Sequence, residues 1–190
     1  MRPGARRGYR AVVRHDDEAE RTAWRVTSGE PAPGAVERLL RLLPGWFGIE
    51  SSVLEYVAYA RANPAYLAWP DGRQTAEPSG MLLAARHFPA SAEIYLMGVD
   101  PSSHRHGAGR ALVAALEADL IADGVEFLQV KTMGPARPDD GYAKTRQFYS
   151  GVGFQPLEEI HGLWPGLPCL IMIKSLRPGT SPSTDSHPGR

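Results

Sequence analysis

The sequence of 190 residues predicts a mixed α/β fold built on one sheet. Three observations carry that prediction. Short strand-like runs alternate with segments whose apolar residues recur every three or four positions. One run, 92–99, is apolar almost throughout, as a strand covered on both faces should be. A turn with two glycines follows that run directly, where a strand hands over to a helix. The length suits a single domain, and a composition of 43% hydrophobic and 22% charged residues excludes disorder along the whole chain.

In order along the chain, residues 23–27 read as a short strand. Pro33 and Gly34 open a helix carrying Val36, Leu39, Leu40 and Leu43, which Pro44-Gly45 breaks. Residues 50–62 form a second helical stretch with Val53, Leu54, Tyr56 and Val57, ended by Asn63-Pro64. Two strands, 65–69 and 81–88, flank a turn region over 70–80 and predict a hairpin. After the apolar strand, residues 107–122 are helical with Val113, Leu116 and Leu120 on one face, stopped at Asp123-Gly124. A buried strand over 125–131 precedes a helix over 142–152, whose Thr145, Phe148, Tyr149 and Val152 share one side. Strands over 154–160 and 169–174 complete the list. Residues 1–21 hold an arginine-rich block followed by an acidic one and read as a flexible, solvated arm. Residues 22–176 form the domain. The Pro-, Ser- and Gly-rich stretch 177–190 cannot bury enough apolar surface to offset its ordering entropy and is expected to be disordered.

Lysine plus arginine number 21 and aspartate plus glutamate number 21, so the formal net charge is zero. That removes any global electrostatic case for nucleic acid or an anionic membrane as partner. The single cysteine, Cys169, cannot form an internal disulfide, which suits a reducing compartment. No apolar run reaches the roughly 18 residues of a membrane span, and the first fourteen residues lack the apolar stretch of a secretory signal. A soluble cytoplasmic protein is expected, as a monomer or homodimer.

The glycine turn carries the most chemistry. Val99-Asp100-Pro101 is followed by His104-Arg105-His106-Gly107-Ala108-Gly109-Arg110-Ala111, so two glycines open a helix directly after a buried strand. Small residues there let backbone N–H groups converge on an anion, which the helix dipole also favours. The dinucleotide fingerprint fails because its third glycine position is Leu112, and no Gly-Lys-Ser/Thr follows to make a P-loop. His104 and His106 form a His-x-His pair with too few neighbouring ligands for a metal, and none is expected.

The segment from Val99 to Gly109 resembles motif A of the GNAT superfamily of acyl-CoA-dependent N-acetyltransferases, a Val-x-Pro turn followed by Gln/Arg-x-x-Gly-x-Gly/Ala. It departs from that motif in having His104 at the first position. Downstream, Phe148-Tyr149-Ser150-Gly151-Val152-Gly153-Phe154 is similar to the family's Phe-Tyr-x-x-x-Gly-Phe signature, with Tyr142 where an asparagine is frequent. The resemblance implies a GNAT-like central mixed sheet of six or seven strands flanked by about four helices. It also implies acetyl transfer from acetyl-CoA to a primary amine of a small molecule or peptide, with no metal. Pantetheine would lie along Met97, Gly98 and Val99, with a backbone N–H there polarising the thioester carbonyl. The pyrophosphate would rest on His104, Arg105, His106, Gly107, Ala108 and Gly109, together with the Arg110 and Ala111 amides. Gly98 itself suggests a bulge or a close approach of backbone.

That reaction sets its own demands. A primary amine with a pKa near 10.4 is protonated at pH 7, and exposing its lone pair costs about 4.6 kcal/mol. Protonating a leaving thiolate of pKa near 8.5 gains only about 2 kcal/mol, so the base matters more than the acid. Glu93, at the start of the apolar strand, is the leading base candidate, since some relatives, histone acetyltransferases among them, place a catalytic glutamate there. The alternative reading of Glu93 is a solvated carboxylate at a strand end. Glu50, between the first two helices, is the second candidate, and His87 can relay a proton through water. Tyr149 is the expected acid toward departing CoA, against the alternative of a core aromatic. Trp46, Phe47, Glu50, Tyr56 and the loop 134–141 are expected near the acceptor. The alternative to an enzyme is an acyl-CoA-binding sensor or structural module without turnover, which the departures at His104 and Tyr142 keep open.

Overall fold

The computed structural model describes residues 24–70 and 77–177, so the arm expected over 1–21 and nearly all of the tail expected over 177–190 lie outside the described residues. Among the described residues, seven strands and four helices follow one another as β1 (Trp24–Thr27), α1 (Pro33–Arg41), α2 (Glu50–Ala62), β2 (Ala65–Pro70), β3 (Gly80–Phe88), β4 (Ser91–Val99), α3 (Ala108–Ala122), β5 (Phe127–Met133), α4 (Asp140–Gly151), β6 (Gln155–Trp164) and β7 (Leu167–Ser175). A 3-10 turn over Pro101–Ser103 lies between β4 and α3. The strands form one mixed sheet in the order β1-β2-β3-β4-β5-β7-β6, antiparallel everywhere except between β4 and β5. The expected hairpin is the antiparallel pair β2–β3.

Helix boundaries follow local chemistry. Asp139 accepts the Tyr142 N–H at 2.9 Å, so α4 starts two residues ahead of the expected Tyr142. The Val125 N–H closes on Leu120 C=O at 2.9 Å, which assigns Val125 to the end of α3 and delays β5 to Phe127. Leu54, expected on the apolar side of α2, is 55% exposed.

Two cores sandwich the sheet. On one face α3 and α4 bury Leu112, Val113, Leu116 and Tyr149 against Ala92, Ile94, Leu128, Val130, Leu170 and Met172. On the other, α1 and α2 bury Val36, Leu39, Leu40, Val53 and Val57 against Met81, Leu83 and Leu96. Each fully buried leucine contributes about 1.5–3 kcal/mol, so both faces hold the sheet between its helices.

One irregularity positions the site. In the β3–β4 register Leu83 faces Leu96 while Ala84 faces Ile94, so Tyr95 is an extra residue on β4. This bulge turns Tyr95 and Leu96 to the same α1/α2 face. Gly98, where a bulge or a close approach of backbone was expected, sits in regular register opposite Met81. What requires glycine there is side-chain packing, since a Cβ would come within 2.9 Å of both Leu43 Cδ1 and Met81 Cε.

Candidate active site

The site begins where β4 and β5 part. Their parallel pairing runs from Ser91 opposite Phe127 to Ile94 opposite Val130 and goes no further, although β4 continues to Val99 and β5 to Met133. Beyond Ile94, β4 stays paired to β3 on one edge only. Asp100 donates its N–H to Ser79 C=O on the β3 side at 2.8 Å. Peptide groups of successive residues face opposite edges, so Val99 and Met97 turn theirs toward the gap. The result is an open strand edge, a template onto which an extended ligand can hydrogen-bond.

At the end of that edge the chain makes the glycine turn. Asp100 Oδ1 accepts from the Ser102 N–H at 2.9 Å and the Ser102 hydroxyl at 2.7 Å. The Ser102 bonds outweigh partial burial and hold the Asp100 carboxyl below its usual range. Arg105 adopts φ 65° and Gly107 φ 96°, both in the left-handed region, where an L side chain is strained. Trp24 Nε1 donates to His106 C=O at 2.7 Å and pins the turn to β1. Gly107 caps α3, and the Ala111 N–H bonds back to Gly107 C=O at 3.0 Å. The Ala111 amide, expected to hold a ligand's phosphates, is therefore committed inside the helix. The amides of Ala108, Gly109 and Arg110 precede the first intrahelical bond and are the donors left at the positive end of the dipole. The Arg110 guanidinium points elsewhere, donating to Gly151 C=O at 2.9 Å and tying α3 to the end of α4. Gly109 is packed hard: a Cβ would stand 3.1 Å from the Phe148 ring.

His104 donates Nε2–H to Val99 C=O at 2.8 Å, so its proton is directed at the open strand edge rather than at the turn's amides. Trp46, from the α1–α2 connection, stands edge-on to His104 with ring centroids 6.4 Å apart and also approaches Gly141 at the start of α4. It bridges the two sides of the gap.

On the α1/α2 face, Glu93 is buried, with its side chain 5% exposed. Its Oε2 accepts from Lys131 Nζ at 2.7 Å, His87 Nε2 at 2.7 Å and Gln129 Nε2 at 3.2 Å. Burial opposes ionisation, but the bonds from Lys131 and His87, the Lys131 charge and the Gln129 amide outweigh it and hold the carboxyl below its usual range. Every hydrogen bond found for Glu93 goes to Oε2, and among the described residues only Thr132 Oγ1 is a sealed side-chain polar atom without a partner, so Oε1 reaches solvent. Beside this cluster the bulge presents Tyr95 between Tyr56 and Tyr59, at centroid distances of 5.6 and 4.3 Å. Burial raises all three phenols, which keeps them neutral.

The other candidates separate. Tyr149 is 5% exposed, edge-on to Phe148 and Phe154, and burial alone raises its phenol far above the ordinary value. Glu50, by contrast, is 63% exposed and clamped by both terminal nitrogens of Arg41 at 3.0 and 3.1 Å. Those bonds and the Arg41 charge outweigh desolvation and hold the Glu50 carboxyl below its usual range, on the surface and outside the hydrogen-bond cluster around Glu93. Sequence reasoning missed Lys131, Gln129 and Tyr95. The alternation of Leu128 and Val130 with Gln129 and Lys131 was the available signal for the first two, usable only once the parallel β4–β5 register is known.

A family model described as the acetyltransferase (GNAT) family matches residues 36–154. The chain belongs to this family. A search of the curated proteins found no match. Among solved structures, a GNAT-family acetyltransferase from Desulfovibrio desulfuricans superposes with a TM-score of 0.66 at 20% identity, over 82% of this chain and 100% of that one. The ribosomal-protein-S18-alanine N-acetyltransferase of Escherichia coli gives 0.64 at 17% identity, over 83% and 96%. An aminoglycoside 6'-N-acetyltransferase solved with coenzyme A gives 0.61 at 18% identity, over 82% and 99%. At such identities the likeness is one of fold. The GNAT chain's own residues fit a coenzyme on two counts: a strand edge at Met97 and Val99 with no neighbouring strand, its Val99 carbonyl taken by His104, and first-turn amides at Ala108, Gly109 and Arg110 of the helix that follows. Among the described residues no helix is long and apolar enough to cross a membrane.

Proposed function

We propose that the protein transfers the acetyl group of acetyl-CoA to a primary amine of a small molecule or peptide, by direct attack of the amine on the thioester. The observation that carries this reading is the parting of β4 and β5 beyond Ile94, with the glycine turn at one end and Glu93 and Tyr149 on its opposite faces. The Ala108, Gly109 and Arg110 amides hold the diphosphate, and the edge of Met97 and Val99 aligns pantetheine as an added strand. A backbone N–H of that edge polarises the thioester carbonyl.

Glu93 stays ionised at neutral pH, and its Oε1 attracts the acceptor's ammonium and orients the water that removes its proton. A carboxyl held below its usual range is a poor proton store, so the proton passes on to bulk solvent. As the C–S bond breaks, the electron pair moves to sulfur; the Tyr149 phenol, which stays protonated, donates a hydrogen bond to the departing thiolate, and the thiolate takes up its proton from solvent. Cys169, buried and without a disulfide, supports a reducing, cytoplasmic setting.

The test is release of free CoA from acetyl-CoA across a panel of amines. Amine-dependent release supports transfer. Coenzyme binding with no release by any amine would favour a sensor or structural module instead.

A further inference from the structure

Glu93 is one end of a larger polar cluster. From it toward the β3–β4 turn lies a shallow, open cavity of about 320 Å³, lined by His87, Phe88, Ser91, Gln129 and Lys131. That volume is within the range of small-molecule sites, roughly 300–1,000 Å³. The cavity adjoins the candidate active site, because Lys131, His87 and Gln129 all reach Glu93 Oε2.

Its polar lining is mostly donors. Lys131 gives one N–H to Glu93 and keeps two, and the Gln129 amide gives one and keeps one. His87 directs Nε2–H at the same oxygen, and Ser91 adds a hydroxyl. The carboxylate facing these donors already accepts three of them on a single oxygen. Phe88, 72% exposed, gives the cavity an apolar wall. A lysine and spare N–H and O–H donors beside an aromatic ring match an anionic group on a short carbon chain.

We propose that this cavity is the distal half of the acceptor site, and that the acceptor is an amine bearing a carboxylate or phosphate a few bonds from the nitrogen it presents. The inference rests on the N-acetyltransferase reading above. The two charges of such an acceptor meet separate partners, the ammonium at Glu93 Oε1 and the anion at Lys131, Gln129 and Ser91.

The experiment measures CoA release with matched amines: γ-aminobutyrate against n-butylamine, and O-phosphoethanolamine against ethanolamine. The full chain and its Ser91→Asp and Ser91→Asn variants are compared. The member of at least one pair that carries the carboxylate or phosphate is expected to have a kcat/KM about tenfold or more above the partner that lacks it, and which pair shows it separates carboxylate from phosphate. Ser91→Asp, which puts a like charge in the cavity, erases that preference, whereas the size-matched Ser91→Asn, whose amide N–H stands in for the lost hydroxyl donor, lowers it by less. A readout without turnover follows the His87 ring protons by NMR during titration with γ-aminobutyrate or inorganic phosphate; they shift in the wild type and Ser91→Asn but not in Ser91→Asp. Equal use of amines with and without the anionic group overturns the inference while leaving N-acetyl transfer standing. If no amine is acetylated, that broader reading fails, and the His87 titration alone decides the cavity: no shift with either anion overturns it.

Discussion

At Glu93, three donors converge on one oxygen of a buried carboxylate, and this decides what the residue can do. Burial alone would favour the neutral acid, yet Lys131, His87 and Gln129 keep the anion. A carboxyl whose folded pKa lies below its unfolded one adds stability that is complete above the unfolded value and is lost as pH falls through the folded value. The stability gap between wild type and Glu93→Gln, from urea unfolding, is therefore expected to be full at pH 7 and to shrink toward pH 3. A gap that is constant or grows in acid would contradict the ion-pair account. Tyr149 lies on the other face with no charge close enough to lower its phenol. Tyr149→Phe is expected to lower kcat at least about tenfold, with acetyl-CoA affinity nearly unchanged. Unchanged turnover would reduce Tyr149 to a packing residue between Phe148 and Phe154.

At the scale of elements, the glycine turn works because α3 can begin against α4. Gly109 has no room for a Cβ beside Phe148, whose ring is rigid and belongs to the second motif. Gly109→Val is expected to cost about 1–3 kcal/mol of stability through overpacking and to weaken coenzyme A binding by displacing the free amides. Gly34→Ala, where a Cβ meets nothing within 4 Å, is the control and leaves binding unchanged. Calorimetric titration of both variants reads the difference; equal loss or equal retention would disconnect the turn's packing from binding. The strands and helices were legible in the sequence to within a few residues because apolar spacing reports burial directly. The bulge at Tyr95 was not, since it is a matter of register between β3 and β4, and Gly98 drew attention to the wrong position. The fate of Glu50 was equally hidden, because its partner Arg41 lies in another helix and only tertiary packing brings them together.

For the molecule as a whole, the asymmetry of the sheet makes the site. Antiparallel pairs hold β1 to β4 on one side and β5 to β6 on the other, and the single parallel junction between them closes over four residue pairs. The core under α3 and α4 runs across that junction, from Leu82, Ala92 and Ile94 to Leu128, Val130 and Met172, and holds its paired part closed. The lesson of the sequence at this scale is partial: two motifs pointed to the proposed coenzyme side, whereas the proposed acceptor side draws on β3, β4, β5 and α2 and carries no contiguous signature.

The most direct measurement is a crystal structure with coenzyme A bound. The expected result places the diphosphate on the amides of Ala108, Gly109 and Arg110, pantetheine along Met97 and Val99 in the gap, and sulfur beside Tyr149. A coenzyme seated anywhere else, or a gap closed by continuous β4–β5 pairing, would contradict the account.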